Sequence, residues 1–274
     1  MSLGVAFLQG GRSPSGAGRT IDAYWPIQPG NRGLNGFLRG GQQVPCVQNE
    51  AGGGGVTFSF NQNGVDCIGL RTSIATDSGY YAIDPWQLAH RTNKGQPTGA
   101  LDTLGVYRIA ASLAQHIGSV FPVYDDLHDF GLEIVKVGGG NVLNASANTV
   151  GWGIFLKDAN TVVFYVRGPN GLVKQVLVLP NGFQTTDFHR YEFIITSATG
   201  TADGTLQLLI DNLPVNLGAL NSSWATGTNL PPNSFQGSVN GYRALVLNWS
   251  GAAAICDLLV SSFQFIAGPT LADT

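Results

Sequence analysis

Residues 189–196 (HRYEFIIT) and 205–210 (TLQLLI) decide the fold. Apolar and polar side chains alternate in the first run, and both runs are rich in β-branched, aromatic and aliphatic residues, as half-buried strands are. Residues 202–204 (ADG) lie between the runs and supply a turn. We therefore predict two antiparallel strands joined by a short connection.

Runs of the same kind occur on both sides of this pair, at the spacing of an antiparallel sandwich. A polar four-residue loop at 157–160 separates two of them and predicts a hairpin. We expect at most a turn or two of helix, near residues 85–90 or 111–115. The ten predicted strands are 80–83, 105–113, 130–137, 151–156, 161–166, 173–178, 190–196, 205–210, 242–247 and 255–265.

The first eighty residues differ from the rest because glycine-rich segments interrupt them about every ten residues, which excludes long helices. Their large apolar side chains are too many for a flexible linker. We expect residues 1–78 to form an extended Gly-rich N-terminal arm, ordered by contact, or a small β subdomain. Residues 79–268 then form the sandwich, and 269–274 a C-terminal tail.

The strand pattern resembles that of a known superfamily. Tyr191, Phe193 and Ile195 alternate in one strand, a DGTL segment opens the next, and residues 255–265 form a similar last strand. These features resemble concanavalin A-like jelly rolls, which include laminin-G-like and lectin/glucanase domains. The resemblance covers about residues 79–268 and rests on pattern, not on a signature motif. It implies an all-β antiparallel jelly roll, a fold that hosts lectins, glycosidases and phage modules.

Charge is scarce in this chain. Charged residues make up 11%, against roughly 25% in ordinary soluble domains, and the net charge is −3. We therefore expect much of the surface to face other protein, and no nucleic-acid partner, because lysine and arginine do not cluster.

No apolar run is long enough for a membrane span, and residues 1–9 lack the features of a secretory signal. Three cysteines are too few and too scattered for a zinc cluster.

These features together are typical of a bacteriophage virion component made in the host cytoplasm, such as a capsid decoration or tail protein. Its partners would be other virion proteins and copies of itself, with which it would assemble through its N-terminal arm. The alternative is a carbohydrate-binding module that recognises a host glycan.

Catalysis is not expected from the sequence. Glycosidases need two carboxylates that flank the glycosidic bond, and Glu133 and Glu192 each stand alone among apolar residues of a predicted strand. We expect either glutamate to hydrogen-bond across the sheet to Lys136, Arg190 or Arg243. The chain is therefore predicted not to be an enzyme, and a glycosidase is the weakest hypothesis.

Asp125, Asp126 and Asp129 are three carboxylates within five residues, and their loop could hold Ca²⁺. The spacing matches no known calcium loop, and aspartates also favour turns. We favour a solvated turn and expect no cofactor. A calcium ion in this loop is the alternative.

Aromatic side chains are the other candidates for contact with a glycan or a partner protein. Trp224 lies in a long loop of small polar residues. Tyr24, Trp25 and Phe37 lie in the N-terminal arm.

Overall fold

The computed structural model describes residues 21–26, 35–38, 43–45, 47–51, 56–83, 106–136, 151–168, 171–196, 205–217 and 242–268. Within these ranges the regular structure is entirely β. The strands are β1 (Ile21–Pro26), β2 (Asn35–Leu38), β3 (Gln43–Pro45), β4 (Val47–Ala51), β5 (Val56–Gln62), β6 (Val65–Thr72), β7 (Ser78–Ile83), β8 (Val106–Gln115), β9 (Asp129–Lys136), β10 (Gly151–Asp158), β11 (Thr161–Gly168), β12 (Gly171–Val176), β13 (His189–Thr196), β14 (Thr205–Ile210), β15 (Leu213–Pro214), β16 (Tyr242–Trp249) and β17 (Cys256–Gly268).

The described strands form two antiparallel sheets. The ten-stranded sheet has the order β15, β14, β13, β8, β17, β1, β2, β3, and β6 and β5 extend it from another part of β17. The seven-stranded sheet has the order β12, β11, β10, β9, β16, β7, β4. Because β17 is thirteen residues long, its first half pairs with β6 and its second half with β1, while β8 runs beside both halves.

The two sheets pack face to face around one main core. Phe164 of β11 and Phe193 of β13 meet across the interface, with ring centroids 6.2 Å apart. Trp152, Phe263 and Phe265 are fully buried in the same core. Burial of a phenylalanine stabilises a fold by about 1.5–3 kcal/mol, so these rings contribute much of the driving force for folding.

This architecture confirms the predicted fold class, an all-β antiparallel sandwich. The paired runs at residues 151–168 and 189–210 form the predicted hairpins. The helical turn predicted at residues 111–115 is wrong, because β8 continues to Gln115 with Leu113 and Ala114 buried in separate apolar clusters. In the described part of the chain no helix is long and apolar enough to cross a membrane.

The strands that precede residue 79 lie in the same two sheets as those that follow it. β6 pairs with β17, β4 pairs with β7, and Ile68 and Leu70 are buried in the main core. The domain boundary at residue 78 stays a prediction, and residues 269–274 lie outside the described part. Cys67 and Cys256 are buried free thiols.

Candidate functional site

Four residues stand in register across four neighbouring strands of the seven-stranded sheet. Lys174 of β12 pairs with Tyr165 of β11, which pairs with Gly153 of β10, which pairs with Glu133 of β9. Side chains alternate between the two faces of a strand, and neighbouring Phe164 points into the core. The row therefore lies on the opposite side, which we call the outer face.

Gly153 allows Tyr165 to reach across the sheet. A Cβ atom at position 153 would lie 2.5 Å from the tyrosine hydroxyl oxygen and 2.6 Å from Cζ, so the ring occupies the space that a side chain would need. The hydroxyl thereby reaches β9, two strands away, and donates a hydrogen bond of 2.8 Å to Oε1 of Glu133.

A second carboxylate meets the same hydroxyl. Asp129 is four residues before Glu133 on β9, and its Oδ1 lies 3.4 Å from the Tyr165 hydroxyl oxygen. Gly131 lies between the two acids, where a Cβ would come within 2.3 Å of the Ile154 carbonyl oxygen. We call Asp129, Glu133 and Tyr165 the tyrosine–carboxylate cluster.

The tyrosine–carboxylate cluster is buried. Asp129 and Glu133 are 0% exposed and Tyr165 is 1% exposed. Burial, and then the negative charges of Glu133 and Asp129, raise the pKa of Tyr165 well above its usual value. The tyrosine is therefore held protonated, as a donor between two acids.

A half-exposed rim adjoins the cluster on the outer face. Tyr124 packs edge-on against Phe155 of β10, with ring centroids 5.3 Å apart. The ammonium nitrogens of Lys157 and Lys174 each lie 5.0 Å from the centroid of the Tyr124 ring. We call Tyr124, Lys157 and Lys174 the lysine–tyrosine rim.

The three aspartates predicted to bind calcium have separate roles. Asp125 accepts hydrogen bonds from the backbone N–H groups of Leu127 and His128 and contacts the His128 ring. Partial burial acts to raise the pKa of Asp125, but these hydrogen bonds outweigh it, so the pKa is lowered. Asp126 forms an ion pair with Lys174, and Asp129 belongs to the cluster.

Among the described residues, no group of three or more histidine, cysteine, aspartate or glutamate side chains is arranged to hold a metal ion. The calcium site therefore stays a prediction.

The predicted aromatic contact residues are only partly placed. Tyr24 and Trp25 belong to β1 and Phe37 to β2, with Tyr24 in register with Phe37. The backbone thus brings Tyr24 and Phe37 to adjacent positions of the ten-stranded sheet. Trp224 lies outside the described residues.

Glu192 is another buried strand glutamate. It is also 0% exposed, but it accepts hydrogen bonds from Arg108 of β8 and from Arg190, whose Nε lies 3.3 Å from Oε2. Arg190 is one of the partners predicted for Glu192 but is on the same strand, and the partner across the sheet is Arg108, which was not predicted. A carboxylate held by two guanidinium groups is a structural ion pair, so Glu192 is no candidate for proton transfer.

A serine, a histidine and an aspartate also meet at the start of β17, without forming a catalytic triad. Asp257 is buried, pairs with both Nε and Nη2 of Arg71, and contacts Nδ1 of His116. The Ser119 hydroxyl donates to the backbone carbonyl of His116, not to its ring. A nucleophile needs the ring nitrogen as its base, so this arrangement ties loops together.

The tyrosine–carboxylate cluster was not predicted from the sequence, from which Glu133 was interpreted as a lone carboxylate. That interpretation is wrong, because Asp129 joins Glu133 at one hydroxyl. The signal was present in residues 129–133 (DFGLE), where two acids and a glycine occupy alternate positions of one strand. Tyr165 could not be added from sequence, since it is 32 residues away from Glu133.

No family model matches the chain, and no curated protein matches it. Solved structures do match. The conserved carbohydrate esterase of Shiga toxin-encoding bacteriophage phi24B is similar over 80% of this chain and 89% of that one, with 11% identity and a TM-score of 0.46. An alginate lyase from Chlorella virus is similar over 76% and 88%, with 11% identity and a TM-score of 0.45. A Bacillus licheniformis β-glucanase is similar over 92% and 99%, with 10% identity and a TM-score of 0.39.

These comparisons correct one prediction. The chain was expected not to be an enzyme, and that expectation is overturned because the matched structures named above are carbohydrate-active enzymes. At identities of 10–11%, what these proteins share with this chain is the antiparallel jelly-roll fold.

Proposed function

We propose that this chain is a carbohydrate-active enzyme whose chemical centre is the tyrosine–carboxylate cluster. The observation that carries the proposal is the meeting of Asp129 and Glu133 at the Tyr165 hydroxyl. Buried polar groups need a reason, and two acids that share one donor in a buried site form an arrangement that tunes proton transfer.

The chemistry follows from the two acids. Cleavage of a glycosidic bond needs one carboxylic acid to protonate the leaving oxygen and one carboxylate to act as base or nucleophile. Asp129 and Glu133 supply such a pair on one strand, and Tyr165 fixes their separation by contacting both. Glu192 does not meet this requirement, because its charge is neutralised by arginines.

Access to the cluster begins at the lysine–tyrosine rim. Tyr124 is half-buried, so part of its ring is available to stack on a sugar. The carboxylates themselves are 0% exposed, so a saccharide must displace side chains over the outer face before it reaches them. Exclusion of water from the acids would then strengthen their electrostatic interactions with the substrate.

The test is hydrolysis of a panel of neutral and acidic polysaccharides by the purified protein, with new chain ends as the readout. Asp129→Asn and Glu133→Gln should each lower the rate about 100-fold or more, as expected for loss of a general acid or base. Glu192→Gln is the matched control, since it alters an equally buried strand carboxylate and should retain activity. Melting temperatures establish that each variant is folded.

Two results would sink this proposal. One is an active wild-type protein whose Glu133→Gln variant is equally active. The other is saccharide binding to the outer face with no cleavage of any member of the panel, which would instead identify a carbohydrate-binding receptor module.

We further propose that the chain is a virion component, such as a capsid decoration or tail protein. The observation in its favour is a group of exposed apolar side chains that follow β8, in a chain with only 11% charged residues. They are Ile117, Val120, Phe121 and Val123, which are 41–54% exposed. Exposed apolar groups of this kind suit contact with neighbouring protein.

Sedimentation at increasing protein concentration tests this second proposal. Association that Phe121→Ser weakens would support it, and a monomer at every concentration would oppose it. Imaging of the particle with an antibody against the chain would locate it directly.

A further inference from the structure

Lys157 reaches the rim through an irregularity in β10. The pairing of β10 with β11 shifts register between Leu156 and Asp158, which leaves Lys157 as the extra residue of a β-bulge. A bulge bends its strand and redirects a side chain. Here the bulge accompanies placement of an ammonium group against the Tyr124 ring.

Lys174 reaches the same ring from the other side of β11. It stands in register with Tyr165 on β12, and its side chain is 25% exposed. Burial lowers the pKa of Lys174, although the negative charge of Asp125 opposes this. The ammonium group of Lys174 is therefore partly desolvated at the rim.

Two cations at one aromatic ring repel each other, and the two cation–π contacts offset only part of this repulsion. Within the described residues Lys174 has an ion-pair partner, Asp126, whereas Lys157 has none. Asp126 is 65% exposed, so this pair is open to solvent and readily exchanged for another anion. The rim thus has positive charge available for a ligand.

The charges of the outer face are ordered in space. Lys174 and Glu133 occupy one row but are three strand spacings apart, roughly 14 Å at 4.7–4.9 Å per spacing. Positive charge lies at the rim and negative charge at the cluster, with the Tyr165 ring and Gly153 between them. An anionic group of a ligand would be attracted to the lysine–tyrosine rim and repelled by the carboxylates of the cluster.

We infer that Lys157 and Lys174 form a subsite for the carboxylate or sulfate of an acidic saccharide, with Tyr124 stacked on the same sugar. This inference rests on the proposed function and names its substrate class. Lysines could instead merely lay their hydrocarbon stems over the tyrosine, in which case charge would not matter to binding.

The experiment measures binding of three oligosaccharides of equal length to the full chain by calorimetry. One is a uronate, one is sulfated and one is neutral, which separates the two sources of negative charge. Lys157→Met with Lys174→Met should weaken binding of at least one anionic ligand tenfold or more and leave the neutral ligand unchanged. Lys157→Arg with Lys174→Arg, which keeps both positive charges, should retain most of the anion binding.

Two further measurements sharpen the test. Asp126→Asn should strengthen anion binding two- to fivefold, because it releases Lys174 from its internal partner. Raising the salt concentration from about 50 to 300 mM should weaken anion binding by the wild-type protein more than anion binding by the double lysine variant.

The outcomes separate the subsite from the proposed function. Lysine-dependent anion binding without cleavage of any saccharide would support the subsite and oppose the enzyme. Cleavage of a neutral glycan at the wild-type rate by the double lysine variant, with no preference for anions, would overturn the subsite and leave the enzyme standing. Equal binding of all three ligands by the wild-type protein would also overturn the subsite.

Discussion

Replacement of Gly153 by alanine tests the geometry of the tyrosine–carboxylate cluster directly, because the new methyl group would occupy the place of the Tyr165 ring. The Cβ atom would lie 2.5 Å from the hydroxyl oxygen, 2.6 Å from Cζ and 2.9 Å from the Leu132 carbonyl oxygen. The backbone oxygen blocks retreat of the methyl group, so the ring must move. Its hydrogen bond to Glu133 then breaks.

The expected cost has two parts. Overpacking of a buried site destabilises by about 1–3 kcal/mol. Loss of a hydrogen bond to a charged acceptor that stays buried adds about 1.5–3 kcal/mol. We therefore expect Gly153→Ala to lower the free energy of unfolding by about 2.5–6 kcal/mol, a large fraction of the roughly 5–15 kcal/mol typical of folded proteins.

Urea unfolding followed by tryptophan fluorescence measures this cost, and Tyr165→Phe completes a double-mutant cycle. The phenylalanine variant has already lost the hydroxyl, so Gly153→Ala should cost at least about 1 kcal/mol less in that background. A cost below about 1 kcal/mol for the single variant would refute the close approach at Gly153. Additive effects would show that the glycine does not act through the Tyr165 hydroxyl.

Three other predictions concern buried charge, buried thiols and calcium. Arg71→Met should lower the free energy of unfolding by about 3–5 kcal/mol, because it removes both guanidinium hydrogen bonds from the carboxylate of Asp257, which stays buried; a loss below about 1 kcal/mol in urea unfolding would contradict this. Burial raises the pKa of Cys67 to about 11 and that of Cys256 to about 12, above the ordinary 9.0. Their contribution to stability is complete below pH 9 and falls as the pH rises through these values, so the free energy of unfolding should decrease above pH 9, and a thiol reagent at pH 8 should label Cys67 and Cys256 only in unfolded molecules; rapid labelling of either of these two thiols in the native protein would disprove it. EDTA should leave the melting temperature unchanged, and a decrease would establish a bound metal ion.

The sandwich was predictable because local rules and tertiary packing agree in most strands. β14 has the predicted bounds, since Leu206, Leu208 and Ile210 alternate towards the core and Gly204 precedes the strand in the sequence. The end of β8 was not predictable in the same way. Its alanines carry no strand preference of their own, and pairing with β17, more than 140 residues away, holds them extended.

The candidate site was much less predictable than the fold. Asp129 and Glu133 become a pair only when Tyr165 crosses Gly153, and that crossing depends on the register of three strands. Sequence spacing shows which residues share a strand face, but not which strand lies alongside. Lys157 was hidden for a related reason, because a bulge belongs to the pairing of two strands and not to either alone.

The position of β17 has a consequence for synthesis of the chain. This strand, Cys256–Gly268, lies inside the ten-stranded sheet and pairs with β1, β6 and β8, which the ribosome produces far earlier. Until residue 268 has emerged, those strands present unpaired edges, which invite association between nascent chains. Completion of the sheet must therefore wait until β17 has been synthesised, and chaperone demand during expression should be high.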